Sequence, residues 1–267
     1  MPVNNLDSLL HTVISISRQA GEKIMEIYGG EFKVDVKEDQ SPLTEADLAA
    51  HHCIVEKLSK LSDFPIISEE SSEIPFSQRK QWETYWLVDP LDGTKEFVKR
   101  NGDFTVNIAL IHRHKPILGV VYVPVKRQCY YAANTIGAFK QTDNEVAQPI
   151  TVKAVNQEKL VIAGSRSHVT SELEHYLNNL PEHELISIGS SLKFCLVAEG
   201  IADVYPRMGL TNEWDTAAAQ CVVEQAGGKV VELDGQELRY NNKESLLNPY
   251  FLVFGDNSHD WAGYAKS

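Results

Sequence analysis

Hydrophobic positions in this chain first recur at helical spacing and then crowd into short runs, and that change of period predicts the order of its elements. Leu6, Leu9, Leu10, Val13, Ile14, Ala20, Ile24 and Ile27 fall three or four residues apart, Ser17 shares their stripe, and Gly29-Gly30 closes the segment. This predicts an amphipathic first helix with a glycine stop. A second helix is predicted in SPLTEADLAAHHCIVEKLSKL, where Thr44 and Asp47 stand at the T-x-x-D spacing of a capping box. Strand-like runs follow: FPIIS before Glu69, YWLV before Asp89, FTVNIALI at 104–111, ILGVVYV at 117–123 and CYYAA at 129–133. HRHKP, between two of them, has the composition of a hairpin turn, which leaves His112 and His114 exposed. From about residue 151 a further strand begins at LVIAG, and helix and strand then alternate to FLVFG. The expectation is an α/β protein of two lobes, 1–150 and 151–267, without repeats or low-complexity tracts.

Composition narrows the function classes. At 267 residues and 43% hydrophobic content the chain can bury a sizeable core. No apolar run approaches the ~20 residues of a membrane helix, and MPVNNLDSLLHTVISISRQ lacks the basic start and small-residue cleavage site of a signal peptide. The expected location is the cytoplasm; association with the inner membrane face is not compelled by any amphipathic anchor. A net charge of −12 argues against a nucleic-acid-coating surface, and an anionic substrate must therefore meet local cations. Cys53, Cys129, Cys195 and Cys221 form no C-x-x-C pair and lie at no ligand spacing from histidine, so they read as buried thiols.

The acidic residues change the picture most. PIISEE and YWLVDPLD both place acids at the end of an apolar strand, so if the strands share a sheet their acidic ends converge on one edge. Glu69 and Glu70 could instead be a solvated strand end, and Asp92-Gly93 a turn dipeptide. Asp89 is harder to explain away, because it ends a run that should be buried, where an unpaired carboxylate is costly. A hard divalent cation suits such an oxygen set, whereas Zn²⁺ would be signalled by His or Cys. Gly93 and Thr94 add a turn opening into a helix, which suits phosphate oxygens. In NEWDTAAAQCVVEQAGG, Asp215 precedes a small-residue helix and by itself reads as an N-cap. Ser190 and Lys193 are spaced for an anion at a helix N-terminus, or for a plain cap and a surface lysine.

Together, SEES, LVDPLDGTKEF and WDTAAAQCVVEQAGG resemble, in order and spacing, the inositol monophosphatase superfamily of Mg²⁺-dependent, lithium-sensitive phosphatases. GDFTVNIALIHRHKPILGVVYVPV, SRSH, SIGSSLKFCLVAEG and DVYPRMGLTNEWDTAAA are similar to its bacterial CysQ type of 3′(2′),5′-bisphosphate nucleotidase. The likeness runs over nearly the whole chain and is weakest in the first forty residues, around 141–160 and after 229. It implies a layered α-β-α-β-α sandwich of the sugar-phosphatase type. It implies Mg²⁺ as cofactor, one ion held by Glu69, Asp89 and the Leu91 carbonyl and a second by Asp89, Asp92 and Asp215, with Glu70 orienting a water or a third, weaker ion. Asp47 and Thr94 would take the proton of the attacking water. Ser190, Lys193 and Arg207 would hold a 5′-phosphate, and Ser165, Arg166 and His168 would lie near ribose and base. Glu69, Leu91, Asp92, Gly93, Thr94 and Asp215 would also touch the substrate.

The implied reaction is hydrolysis of the 3′-phosphate of adenosine 3′,5′-bisphosphate to AMP, with 3′-phosphoadenylyl sulfate as a second substrate. The partner is then this small nucleotide and not a nucleic acid. No obligate protein partner is evident, so a monomer or weak homodimer is expected. An inositol monophosphatase would share every metal ligand without a 5′-phosphate pocket. A non-catalytic Mg²⁺ or nucleotide sensor would not need the Asp47–Thr94 pair.

Overall fold

Helix α1 (Leu6–Tyr28) begins where the Asn5 side chain accepts the Ser8 amide and ends where Gly29 donates back to the Met25 and Ile27 carbonyls. Its apolar stripe, Leu10, Val13, Ile14, Ala20 and Ile24 among it, is buried. The computed structural model describes residues 5–36, 42–71, 73–155, 159–165 and 170–265; Arg166 and His168 lie outside them. Strands β1 (Val34–Val36) and β2 (Pro42–Thr44) pair antiparallel and lead into α2 (Glu45–Leu61). The capping box is present at its start: Thr44 caps, and the Asp47 side chain returns to the Thr44 backbone.

The next strands are β3 (Ile66–Ser68), β4 (Thr84–Asp92), β5 (Thr105–His112), β6 (Lys115–Val123), β7 (Gln128–Ala133), β8 (Gly137–Thr142) and β9 (Gln148–Pro149). They form one seven-stranded sheet in sequence order, with the short helices α3 (Phe76–Arg79) and α4 (Thr94–Val98) between its strands. β3 runs parallel to β4, and the other pairs are antiparallel. Alternate residues of β4 serve two cores: Trp86 and Val88 pack toward α1 and α2, Tyr85 and Leu87 toward the opposite face. Both faces of the central strands are covered, which is why their sequences read as near-continuous apolar runs. Arg113 and His114 turn between β5 and β6 with φ of 49° and 66°. Contrary to expectation, His112 and His114 are half-buried: the first bonds Thr84, the second the Tyr240 carbonyl.

A second sheet uses β10 (Leu160–Ser165), β11 (His183–Ile188), β12 (Val204–Arg207), β13 (Lys229–Glu232) and β14 (Phe251–Phe254) in the order β11-β10-β12-β14-β13. Helices α6 (Leu192–Ala198) and α7 (Glu213–Gln225) lie between the two sheets; α5 (Ser171–Asn179) and a 3₁₀ turn at Trp261–Ala265 cover the outer face of the second. The layers are α-β-α-β-α. The middle layer is thin because of its sequence. A Cβ on Gly119 of β6 would lie 2.2 Å from the Ala218 carbonyl, so the alanine-rich face of α7 sits directly on the sheet. Cys129, Cys195 and Cys221 are buried free thiols, and Cys53 is half-buried. Among the described residues, no helix is long and apolar enough to cross a membrane.

Candidate active site

Residues three apart on a regular strand face opposite sides of the sheet, so Asp89 and Asp92 should not meet. They do because of an irregularity. Asp89 pairs with Asn107 and Asp92 with Thr105, three steps on β4 against two on β5. The extra residue falls at Pro90-Leu91, where proline brings no N–H to the ladder. Asn107 and Thr105 share a face, and their partners therefore share it too. Leu91 donates its amide to Asp89 Oδ1 at 3.0 Å. Glu69 arrives alongside because β3 is parallel to β4; its amide donates to the Val88 carbonyl at 3.1 Å, and its side chain hydrogen-bonds that of Asp89. Glu70 follows, half-buried at the strand end and within electrostatic reach of Asp47.

The fourth carboxylate comes from the middle layer. Asp215, which by itself reads as an N-cap and by resemblance as a metal ligand, is not the cap: Asn212 is, and Asp215 is the third helical residue, its Oδ2 accepting the Asn212 amide at 2.9 Å. This capping box holds Asp215 pointing back along α7 toward Asp92. Asp92 is supported through one oxygen. Oδ2 accepts from the Ser191 amide at 2.6 Å, Ser191 Oγ at 2.7 Å, Asn107 Nδ2 at 3.2 Å and Thr105 Oγ1 at 3.3 Å.

These carboxylates repel. Burial, then Glu69, Asp92 and Asp215, push Asp89 well above the ordinary carboxylate range. Burial, then Asp92 and Glu69, do the same to Asp215, opposed by the Asn212 amide and Arg207. Among the described residues no three acidic, histidine or cysteine side chains already close on one point as metal ligands. The donor set is nevertheless all oxygen, mutually repelling and in part fully buried, and a hard divalent cation matches it.

Asp47 and Thr94 also come together. Thr94 Oγ1 lies 3.1 Å from Asp47 Oδ1 and 3.2 Å from the Leu91 carbonyl, while Asp47 Oδ2 accepts from the Thr44 amide at 2.8 Å and the Thr44 hydroxyl at 2.6 Å. One carboxylate thus caps α2 and faces the site. Burial is the main cause that raises its pKa, with Glu70 adding to it and its three hydrogen bonds opposing. Gly93, at φ 94°, turns the chain from Asp92 into α4; a Cβ there would lie 3.1 Å from the Asp103 carbonyl.

On the other side stand the cations. Lys193 is 5% exposed, not the surface lysine that its spacing from Ser190 also allowed. Its Nζ donates to the Ser190 carbonyl at 2.6 Å and sits 5.4 Å from the Tyr205 ring centre. Desolvation brings its pKa down to about 8, Arg207 adding to the fall and Asp92, Asp215 and Glu96 opposing it. Ser190 is not the cap of α6 either; Ser191 holds that place, and Ser190 precedes it at φ 49° with its Oγ buried and without a hydrogen-bond partner. Arg207, at the end of β12, donates from Nη2 to the Leu210 carbonyl at 2.6 Å while its Nε is buried and unpartnered. Ser165, Tyr205, Arg207 and Met208 line a small cavity beside it. Ser191, Asn107 and Thr105 were missed in the sequence. The signal was there for two of them, since Thr105 and Asn107 interrupt FTVNIALI at a spacing of two, the mark of one strand face.

The inositol monophosphatase family profile matches residues 5–260. The chain is 50% identical over 248 residues to a 3′(2′),5′-bisphosphate nucleotidase CysQ of Salmonella typhimurium, covering 92% of this chain and 99% of that protein. It is 39% identical to the CysQ of Haemophilus influenzae, over 96% of both chains. Among solved structures, CysQ of Bacteroides thetaiotaomicron, described as a bacterial member of the inositol monophosphatase family, superposes with a TM-score of 0.83 at 45% identity, over 94% of this chain and 98% of that one. An inositol monophosphatase from Anabaena shares the fold, with a TM-score of 0.79 at 23% identity over 98% and 96% of the two chains. With a family match over residues 5–260 and relatives that cover more than nine-tenths of it, this chain belongs to the inositol monophosphatase family.

Proposed function

We propose that this protein is a 3′(2′),5′-bisphosphate nucleotidase that hydrolyses the 3′-phosphate of adenosine 3′,5′-bisphosphate to AMP and phosphate, and acts on 3′-phosphoadenylyl sulfate in the same way. The extent of identity to the nucleotidases supports the reaction. The observation that carries the substrate is the pair of cations Lys193 and Arg207 beside the carboxylates, next to a buried Ser190 Oγ and Arg207 Nε without partners. A second, non-reacting phosphate suits those groups.

Glu69, Asp89, the Leu91 carbonyl, Asp92 and Asp215 would hold Mg²⁺, with Glu70 at the margin. Bound Mg²⁺ supplies a more acidic water and neutralises phosphate charge. The chain's own residues then do the rest. Thr94 and Asp47 stand where they can take the proton of the attacking water: Thr94 accepts it while giving its own proton to Asp47, whose raised pKa suits the task. The oxygen of that water bonds to phosphorus, the bond from phosphorus to the ribose oxygen breaks, the ribose oxygen takes a proton from solvent to become the 3′-hydroxyl of AMP, and no covalent phosphoenzyme forms. The proton held by Asp47 returns to solvent. Gly93 lets the backbone approach the phosphate closely.

The test compares substrates. Loss of one charge-assisted contact is worth roughly 10- to 150-fold in kcat/KM. Arg207→Ala should cost that much on adenosine 3′,5′-bisphosphate and little on adenosine 3′-phosphate. Lys193→Ala should follow the same pattern, with some added loss because Lys193 also braces the Ser190 turn. Equal losses on both substrates would remove the 5′-phosphate pocket, and a wild-type preference for inositol 1-phosphate would assign the enzyme to inositol phosphates.

A further inference from the structure

Ser191 is where the turn that faces the second phosphate meets the carboxylates. It is 2% exposed. Its amide and hydroxyl both reach Asp92 Oδ2, its Oγ is also 2.7 Å from the Asp215 carbonyl, and Asn107 Nδ2 donates to that Oγ at 2.9 Å. A hydroxyl has one proton. Oγ therefore accepts from Asn107 and gives its own proton to Asp92 or to the Asp215 carbonyl. One side chain thus ties together β5, the end of β4, α6 and α7. The neighbouring turn has little slack: a Cβ on Gly189 would lie 2.7 Å from the Asp103 carbonyl, and one on Gly93 3.4 Å from Ser190 Cβ.

We propose that Ser191 is a positioning residue, fixing the Asp92 carboxylate for a divalent cation and linking its position to the Ser190–Lys193 turn. All four protein contacts described for that carboxylate go to Oδ2, which leaves Oδ1 to the cation. The second link is covalent and short. A phosphate held by Ser190 and Lys193 steadies the adjacent Ser191, and Ser191 steadies Asp92. The proposal rests on the reading of Asp92 as a metal ligand, and it gives the remote phosphate a physical route into kcat. Groups that orient a metal ligand typically matter 10- to 100-fold in affinity or activity.

Mn²⁺ binding measured by calorimetry, with no nucleotide present, separates this from activity. Ser191→Ala should weaken Mn²⁺ binding about 10-fold and lower kcat about 10- to 100-fold on adenosine 3′,5′-bisphosphate and adenosine 3′-phosphate alike, with KM changed less than about 3-fold. Ser191→Thr, which keeps the hydroxyl, should recover most of the Mn²⁺ affinity. In a double-mutant cycle, the kcat cost of Lys193→Ala on the bisphosphate should shrink in the Ser191→Ala background. Unchanged Mn²⁺ affinity in Ser191→Ala overturns the proposal, as does a normally melting Ser191→Thr that binds Mn²⁺ no better than the alanine variant. Should Ser191→Ala fail to fold, Ser191→Thr decides alone, wild-type affinity supporting and weakened affinity opposing. A failed preference for the bisphosphate removes the nucleotide assignment but leaves the Mn²⁺ comparison standing. A wild-type protein that binds no Mn²⁺ removes the metal reading and this proposal with it.

Discussion

The two oxygens of Asp47 serve different neighbours, and this separates stability from catalysis at single residues. Oδ2 holds the Thr44 cap and Oδ1 faces Thr94. Thr44→Ala removes the cap hydroxyl and its hydrogen bond to Asp47 Oδ2 but leaves the Oδ1–Thr94 contact. It should cost about 0.5–2 kcal/mol of stability, read by denaturant melts, with kcat changed much less than by Thr94→Ala. Thr94→Ala leaves the cap intact and should lower kcat by about 10²- to 10⁴-fold with a far smaller change in KM. Asp47→Asn touches both and should show both losses. If Thr94→Ala raised KM and spared kcat, the pair would be a substrate contact and not a proton acceptor. The capping-box spacing of Thr44 and Asp47 was legible from the sequence; that the same carboxylate also meets Thr94, 47 positions away, was not, because no local pattern encodes a contact across that distance.

At the scale of elements, the site depends on two pieces of backbone that are easy to break. One is the bulge that turns Asp89 and Asp92 to the same face. The other is the contact of α7 with β6 at Gly119, which sets how far Asp215 reaches toward the sheet. Gly119→Ala would force its methyl into the Ala218 carbonyl and Cys221 Cβ, and backbone atoms cannot step aside as a side-chain tip can. The expected cost is about 1–3 kcal/mol or more, and activity should fall further than stability because α7 is displaced with its carboxylate. Thermal melts beside Mg²⁺-dependent phosphate release test this; an unperturbed variant would mean that α7 is free to shift. The strands themselves were readable as apolar runs because both of their faces are buried. The bulge was not, since Pro90 is equally at home starting a turn.

Across the whole molecule, the gathered carboxylates make stability depend on pH and cations. Asp89 and Asp215 have pKa values raised in the folded protein. Their contribution to stability is full below the unfolded value of about 3.9, is lost as pH rises through the raised folded values, and is absent above them. Lys193 acts in the opposite sense: its folded value of about 8 lies below the unfolded one, so its penalty is present at neutral pH and is relieved as pH rises through about 8 toward about 10.4. Chelator-treated protein should therefore be stabilised by Mg²⁺ by a margin that grows from pH 5 to pH 8, as carboxylates lose their protons. Asp89→Asn should raise the melting temperature of chelated protein at pH 8 while abolishing most turnover. Each 1 kcal/mol is worth roughly 2–4 °C in a chain of this size. A melting temperature indifferent to Mg²⁺ at pH 8 would count against cation binding by this group.

The sequence alone determined what local periodicity and short-range chemistry can encode. It specified the amphipathic first helix, the capped second helix, the apolar strands with acids at their ends, and three motifs whose order and spacing mark the family. Tertiary structure decided what depends on which distant segments meet. The parallel pairing of β3 with β4 brings Glu69 to Asp89, and one extra residue against β5 turns Asp92 to join them. Burial between two sheets makes Lys193 a desolvated cation facing carboxylates, although its spacing from Ser190 reads equally well as a plain cap and a surface lysine. Ser191 shows the division most plainly. In the sequence it is the second of two serines, and only folding, which closes α6 onto Asp92, Asn107 and Asp215 from 99, 84 and 24 positions away, gives its hydroxyl a task.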